Sequence, residues 1–378
     1  MIIIIVLLVP TGSWHSFNVA KNFNKRSMFL FQEVVMALDT TSHHATEVQK
    51  LNQPIIWSNV IGILLFHLLA VYGLLTLPLL QIRWQTYLWG YFLYLAGGFG
   101  VAGGVHRLWT HRTYKAKWPL RIILLVCFSI SGQNSVFDWV RDHRIHHKFS
   151  ETDADPHNAN RGFFFSHVGW LMQRKHPEVL RRGRQVDMSD VLADPLVRFH
   201  NKYFSLLKML FCFFVPVVVP PLLWSEGWYN SAMGVGILRY VLLLNAAWSV
   251  NSLAHIWGGK PYDREISPTE NVLVTWLTAG EGWHNYHHAI PWDYKAAELG
   301  PSTVNWTTYL IEMFSRIGWA YDLKTPSPDL IRRLVERRGD GTHYKWGAGI
   351  MGTAGITKQI DDEFQKWGAA RELAEESQ

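Results

Sequence analysis

The chain has 378 residues, of which 48% are hydrophobic and 14% aromatic, and its formal net charge is +6. Long uncharged runs form two blocks, with the charged residues between and after them, as in a membrane protein with large polar segments. Two cysteines, Cys127 and Cys212, are too few for a disulfide framework or a cysteine zinc site. The basic residues form no aromatic-interleaved stripe, so the charge does not indicate a nucleic-acid partner.

Residues 1–50 are predicted to form a leader outside the membrane-embedded part. Residues 2–9 are apolar but too few to cross a bilayer, and no basic segment precedes them as in a secretory signal. A disordered segment and a mis-assigned start, with Met28 or Met36 as the true first residue, both fit this composition.

Four apolar runs are long enough to cross a membrane as helices, whose backbone groups are satisfied internally. Pairs of runs joined by short turns predict two helical hairpins, within 51–105 and 203–257, and both contact the lipid bilayer. The four predicted spans are 55–80, 87–105, 203–224 and 237–257.

The run 118–132 is shorter and contains Arg121, which favours an interfacial helix over a fifth span. Two long polar segments, 106–202 and 258–345, precede a predicted helical tail at 346–378. Four spans place both segments and both termini on one side. Basic residues cluster there, whereas the inter-span loops, including a predicted loop at 225–231, hold few, so the positive-inside rule makes that side cytosolic.

Three groups of histidines follow the spans in this polar material. The second and third groups share the spacing H-x-x-H-H, which on a helix turns three imidazoles to one face. Eight imidazoles suit two metal ions better than one, and a structural zinc site needs only four ligands, usually with cysteine. The groups are His106 and His111; His143, His146 and His147; and His284, His287 and His288.

The first group has a different spacing. Five residues separate His106 from His111, about 140° around an ideal α-helix, so the two are not expected to share a face. We expect His106 at the end of the second span and His111 beyond a bend. His255 is a ninth candidate ligand, with a structural role as the alternative, and Asn251 lies four residues before it, on the same helical face.

Carboxylates stand beside the histidines rather than in ligand positions. They fit acceptors that would fix the tautomer and orientation of the metal-binding rings. Ordinary ion pairs with Arg141, Arg144 or Lys148 are the alternative role. The four candidates are Asp138, Asp142, Asp155 and Glu281.

The stretches 106–112, 142–158 and 281–288 resemble the three histidine boxes of membrane acyl-CoA desaturases. The similarity is greatest to animal stearoyl-CoA-type enzymes, especially those of insects. The stretches 161–170 and 251–263 also fit, and the resemblance spans about residues 50–325.

This resemblance implies an all-α membrane protein of the endoplasmic reticulum, with four transmembrane helices in two hairpins and a cytosolic helical cap that holds a di-iron site. It implies insertion of a cis double bond, most often between carbons 9 and 10, into a saturated fatty acyl-CoA. The cofactors would be two Fe(II) ions with O₂ as co-substrate. Electrons would come from NADH through cytochrome b5 reductase and cytochrome b5.

The resemblance also implies roles for individual residues. The implied ligands are His106, His111, His143, His146, His147, His255, His284, His287 and His288, with Asn251 joined through water. The implied contacts to the CoA moiety are Asn59, Asn134, Arg141, Arg174 and Lys175. A first histidine in the third box, His284, argues against a front-end desaturase, and without a His-Pro-Gly-Gly haem motif the electron donor would be a separate protein.

The second span is the expected place for the end of a substrate tunnel. Gly90, Tyr94, Gly97 and Gly98 recur there at helical spacings, so small residues would leave room and Tyr94 could close the tunnel. Helix packing alone is the alternative role for these residues.

Three alternative functions also fit the sequence. The double bond could lie elsewhere, as in the Delta-11-like enzymes of pheromone biosynthesis. A related histidine-box membrane hydroxylase would form an alcohol instead. A metal transporter or sensor would more typically place its ligands inside the spans, whereas these histidines lie beyond the span ends.

Overall fold

The computed structural model describes residues 53–298 and 305–347. Helices make up most of this part of the chain. Its sheet is a two-stranded antiparallel one, in which Lys115–Ala116 pairs with Ala320–Tyr321. The leader predicted at 1–50, and the tail at 346–378 apart from its first two residues, lie outside the described residues.

Four helices are long and apolar enough to cross a membrane, which confirms the predicted all-α membrane fold. Their large apolar side chains project outward: Leu65, Leu68 and Leu75 of the first span are more than half exposed, as lipid-facing residues are. The protein is therefore a multi-pass membrane protein. The four spans are Trp57–Thr76, Trp84–Thr110, Phe204–Trp224 and Trp228–Ile256.

Two spans are longer than predicted. The fourth begins at Trp228 and not at residue 237, so most of the loop predicted at 225–231 is helical, and the second continues to Thr110. Both contain π-helical segments, Gly100–Thr110 and Ser231–Leu238. These segments have wider turns than an α-helix.

Regular and wide turns alternate along the spans. The α-helical stretches are Trp57–Thr76, Trp84–Phe99, Phe204–Lys208, Val215–Trp224, Trp228–Asn230 and Arg239–Ile256. A further π-helical stretch, Met209–Phe214, lies in the third span, and a 3-10 turn, Leu79–Gln81, follows the first.

Shorter helices build a cap beside the spans. The first pair, Trp118–Ser131 and Val136–Phe149, meets at 85° and would count as a fifth, broken span if taken together. Gly132 ends the first helix with φ of 64°, the left-handed conformation that glycine adopts without strain. The remaining short helices are Ala159–Arg161, Phe165–Gly169, Trp170–Met172, Pro177–Gly183, Ser189–Ala193, Pro195–Lys202, Val272–Thr278, His284–Ala289, Trp306–Arg316 and Pro328–Arg338.

The main apolar core lies where the second span enters the cap. Val105, Leu120, Leu124 and Val140 are fully buried there, on the second span and the first two cap helices. This core holds the end of the second span, and therefore the first histidine group, in a fixed position.

Gly100 lets the second span touch the backbone of the helix Trp118–Ser131. A Cβ at Gly100 would lie 2.1 Å from the Phe128 nitrogen and 2.3 Å from the Cys127 carbonyl carbon. We expect Gly100→Ala to lower the free energy of unfolding by about 1–3 kcal/mol, since backbone atoms cannot move aside as a side chain can. The thermal midpoint of the detergent-solubilised protein measures this. Gly90→Ala, where a Cβ meets nothing within 4 Å, should not lower the midpoint, because alanine favours a helix over glycine.

Candidate metal centre

The second histidine group lies on the helix Val136–Phe149, as its spacing predicts. Ser135 caps the start of this helix, its Oγ accepting a hydrogen bond from the Asp138 amide at 3.2 Å, which satisfies one of the free N–H groups. The helix ends at Phe149, directly after the histidines. All three imidazoles therefore lie in its last two turns.

The third group lies on the short helix His284–Ala289. Asn285, which is fully buried, anchors it to the preceding loop. The Asn285 side-chain oxygen accepts from the Tyr262 and Asp263 amides at 2.9 and 3.1 Å, and its amide donates to the carbonyls of Asp263 and Pro268 at 2.9 Å. With all its hydrogen-bonding groups used, Asn285 fixes the orientation of the histidines around it.

The first group differs from expectation. His106 and His111 were predicted to face different directions, and this was wrong because the segment Gly100–Thr110 is π-helical. In that geometry residues five apart are hydrogen-bonded to each other: the His111 amide donates to the His106 carbonyl at 3.1 Å. The two ring centroids lie only 4.9 Å apart. His111 does stand just past the helix end, as predicted.

The three groups and His255 assemble into two clusters, each with nitrogen atoms within 4.8 Å of one another. Cluster A draws on all three groups, and cluster B joins the fourth span to the second and third groups. Cluster A is His106, His111, His143, His147 and His287, and cluster B is His146, His255, His284 and His288.

The nitrogens of each cluster point at a common centre. In cluster A, His287 Nε2 lies 2.9 Å from His106 Nε2 and 3.0 Å from His147 Nε2. In cluster B, His284 Nε2 lies 3.0 Å from His255 Nε2 and 3.2 Å from His288 Nε2. Two nitrogens that each bind one metal at about 2.1 Å, at a right angle, are about 3.0 Å apart. The spacing is therefore that of shared ligands.

The protonation of these rings also suits a metal. Burial and the neighbouring histidines lower the pKa of His143, His147 and His287 well below its usual value, which leaves the neutral form that binds metals. The Nε2 atoms of His111 and His143 are buried with no hydrogen-bond partner among the described residues. Each cluster can therefore hold one metal ion.

Carboxylates bind the outer nitrogens of three histidines. Asp155 contacts His146 Nδ1 at 3.0 Å, and Glu281 contacts His106 Nδ1 at 3.3 Å. A carboxylate at Nδ1 fixes the proton there and turns the Nε2 lone pair toward the cluster. These two of the four candidate acidic residues therefore have the geometry of ring-orienting acceptors.

The other two candidate acidic residues do not contact a ring nitrogen of the clusters. Asp138 and Asp142 both pair with Arg141, at 2.9 and 3.1 Å, and Asp142 also pairs with Lys175. The third ring-orienting carboxylate is instead Glu151, 2.6 Å from His255 Nδ1. Sequence reasoning missed Glu151 because its partner is 104 residues away and no local spacing relates them.

Glu281 is held by a second partner. Arg107 is fully buried, and it donates to Glu281 and, at 2.9 Å each, to the Tyr294 carbonyl and Thr308 Oγ1. Burial alone would raise the pKa of Glu281, but Arg107 and His106 outweigh it and lower the pKa to about 2. The carboxylate that orients His106 is thus ionised and locked in place.

A largely apolar cavity of about 390 Å³ leads to both clusters. Side chains of all four spans line it, together with His106 and His287 of cluster A and His284 of cluster B. Asn251, one turn before His255, also lines it and makes no side-chain hydrogen bond to another described residue. The cavity can therefore bring an apolar chain to the metal-binding nitrogens.

The remaining predicted residues lie in different places. Asn59 and Asn134 line this cavity, and Asn59 also donates to the Leu171 carbonyl at 2.8 Å. Arg141 and Lys175 line a neighbouring cavity of about 330 Å³. Arg174 is exposed and contacts no partner within the described ranges.

The four tunnel-end candidates of the second span also lie in different places. Tyr94 and Gly98 line the main cavity, and the Tyr94 hydroxyl donates to the Leu277 carbonyl at 2.5 Å. Gly97 packs against Leu243 instead. Gly90 is not among the described residues that line the cavity.

Comparison with known proteins identifies the family. The model of the fatty acid desaturase family matches residues 82–307. The chain is 52% identical over 310 residues to an acyl-CoA Delta-9 desaturase of Acheta domesticus, covering 81% of this chain and 86% of the relative.

Two further relatives are similarly close. An acyl-CoA Delta(11) desaturase of Spodoptera littoralis is 50% identical over 78% of this chain and 86% of its own length. Stearoyl-CoA desaturase 5 of Bos taurus is 51% identical over 77% and 86%. With the histidine boxes placed on two clusters beside an apolar cavity, these matches show that the chain belongs to the fatty acid desaturase family.

Proposed function

We propose that this protein is an acyl-CoA desaturase that inserts a cis double bond at the Delta-9 position of a saturated fatty acyl-CoA. The observation that carries the proposal is the cavity, since an apolar channel lined by four spans meets the histidines of both clusters. Relatives named for Delta-9 and stearoyl-CoA desaturation, at about half identity over most of the chain, support it.

Two Fe(II) ions are the proposed metals, one held by cluster A and one by cluster B, with Asn251 joined through water. Neutral imidazoles suit iron, and the three carboxylates at the Nδ1 atoms keep the Nε2 lone pairs turned toward the clusters. When bound, this group supplies oxygen-dependent chemistry that removes hydrogen from an unactivated methylene, which no side chain achieves by acid–base catalysis. The chain itself binds the acyl group, excludes water from it and sets which carbons reach the centre.

The CoA moiety is proposed to bind through Asn59, Asn134, Arg141, Arg174 and Lys175. Asp142 lies between Arg141 and Lys175 and pairs with both, so two cations are held side by side. Paired basic groups of this kind bind the phosphates of CoA. The acyl chain then enters the cavity past Asn59 and Asn134.

Tyr94 and Gly98 are proposed to limit the length of the acyl chain. A Cβ at Gly98 would meet nothing within 4 Å, so a larger side chain there extends into the cavity. We expect Gly98→Leu to shift the products toward shorter acyl chains, measured as the chain-length distribution of unsaturated fatty acids. Gly90→Leu, on the same span, should leave the distribution unchanged because Gly90 does not border the cavity. A shift caused by Gly90→Leu instead would contradict this assignment.

Electrons are proposed to arrive from cytochrome b5 and its NADH-dependent reductase. The proposed location is the endoplasmic reticulum membrane, with the termini and the metal clusters on the cytosolic side. The basic residues of the two polar segments support this orientation.

The test is expression in desaturase-deficient yeast, with double bonds located by mass spectrometry. Cis Delta-9 acids are the expected products. Delta-11 products would match the Spodoptera relative and replace the proposed position, and hydroxylated acids would indicate the hydroxylase alternative. No product from well-expressed, iron-loaded protein would overturn the proposal.

A further inference from the structure

A chain of buried polar side chains crosses from the first span to the fourth, beside the main cavity and apart from the metal clusters. His67 of the first span and Asn245 and Ser252 of the fourth are each less than 9% exposed. His167, from the short cap helix Phe165–Gly169, lies between Asn245 and Ser252. Polar groups at this depth are costly in a membrane and usually functional.

The hydrogen bonds of this chain have one consistent direction. His67 Nδ1 must donate to the Ile63 carbonyl at 2.7 Å, because a carbonyl only accepts. The Asn245 amide nitrogen can only donate, so His67 Nε2 accepts from it at 3.0 Å. The other half of the chain follows from this assignment.

The Asn245 oxygen accepts from His167 Nε2 at 3.2 Å. His167 Nδ1 then accepts the single proton of the Ser252 hydroxyl at 2.8 Å, a shorter contact than the 3.1 Å from that hydroxyl to the Trp248 carbonyl. Burial lowers the pKa of His167 to about 4, which keeps the ring neutral as this pattern requires. An amide in the middle cannot relay protons as imidazole does, so the chain is suited to fixing positions and not to carrying protons.

This series of hydrogen-bonded side chains holds Trp248 in the cavity wall. The Trp248 ring stacks on His67 at 6.0 Å with an interplanar angle of 17° and meets His167 edge-on at 5.9 Å. Both His67 and Trp248 line the cavity. Apolar packing alone lets two spans slide against each other, whereas a directional hydrogen-bond chain permits one alignment.

The same helix also carries a ligand of cluster B. His255 follows Trp248 by seven residues, two helical turns, so the two share a face and lie about 10 Å apart along the axis. The helix therefore sets the distance from the cavity wall to the metal-binding nitrogens. The hydrogen-bonded polar chain fixes the position of this helix relative to the first span.

We propose that the chain His67–Asn245–His167–Ser252 is a positioning clamp that determines which carbons of the bound acyl chain face the metal centre. The proposal rests on the proposed desaturase function. The four residues act through Trp248 and the first span and do not touch the reacting atoms. Loosening the clamp lets the acyl chain bind in a second register, so its signature is the position of the double bond rather than the rate alone.

The experiment compares His67→Phe, His167→Phe and Ser252→Ala with wild type in desaturase-deficient yeast. The ratio of displaced to principal double-bond positions is measured by mass spectrometry, with iron content and the thermal midpoint as checks on folding. We expect the ratio to rise roughly fivefold, the factor that one buried hydrogen bond is worth. His67→Gln, which retains an acceptor for Asn245, should restore most of the wild-type ratio.

Leu68→Phe is the matched control, since Leu68 is the next residue and faces outward, 58% exposed. It should leave the ratio unchanged. An unchanged ratio in the three variants, with product still formed, would overturn the clamp while leaving the desaturase function intact. Loss of folded, iron-loaded protein in all three would also overturn it and make the chain purely structural. Absence of product from wild type would instead contradict the proposed function.

Discussion

Replacing His287 with alanine should abolish desaturation and lower the bound iron from the proposed two atoms per chain toward one. His287 Nε2 lies about 3 Å from the Nε2 atoms of both His106 and His147, so it stands at the centre of cluster A. Loss of residues that merely orient ligands costs about 10–100-fold in metal affinity or activity, and removal of a central ligand should cost at least about 100-fold. Product yield and iron per purified chain measure the two effects.

His200→Gln is the matched control for this prediction. His200 is a buried histidine, 1% exposed, but it contacts Ser129 at 3.2 Å and lies outside both clusters. The His200 variant should bind as much iron as wild type, because the substitution removes no nitrogen of either cluster. Two irons retained by the His287 variant would show that cluster A is not a metal site.

Glu281→Gln should destabilise the protein and weaken iron binding together. The substitution keeps the shape of the side chain but removes the charge opposite Arg107, which is fully buried. An uncompensated buried charge costs about 3–5 kcal/mol. His106 loses the carboxylate at its Nδ1 atom as well, so iron affinity should fall about 10–100-fold. Thermal unfolding and iron retention against a chelator give the two values.

Glu178→Gln removes a carboxylate from a surface pair and serves as the comparison. Glu178 pairs with Arg181, and both side chains are more than a third exposed, where ion pairs contribute little. No measurable change in either quantity is expected. An unshifted unfolding midpoint for Glu281→Gln would mean that Tyr294, Thr308 and Asn305 compensate Arg107 without a charge.

The sequence predicts that the three histidines of each H-x-x-H-H group act together, because a helix presents all three rings on one side. It predicts the spans because uncharged runs of that length are typical of helices that cross a membrane. Local patterns could not reveal the joining of His106 and His111, since the α-helical angle was assumed where the chain forms a π-helix. The resemblance supplied His255, whose spacing carries no signal of its own.

Residues that act across long sequence separations stayed hidden. Glu151 reaches His255, and His67 reaches Asn245, 178 residues away, with no periodicity to connect them. Each is an ordinary residue in its own segment, and only the packing of the spans against the cap gives it a role. Tertiary contacts, rather than local propensity, therefore decide the outer part of the site.

The cavity of about 390 Å³ that is lined by all four spans should make the stability of the protein depend on whether a ligand fills it. Side chains around an empty apolar space lack contacts on one side, so the bundle is least stable when unfilled. A ligand that binds only the folded state, at 100 times its Kd, adds about 2.7 kcal/mol to the free energy of unfolding. Cellular turnover of the chain should therefore slow when long-chain acyl groups are plentiful and quicken when they are scarce.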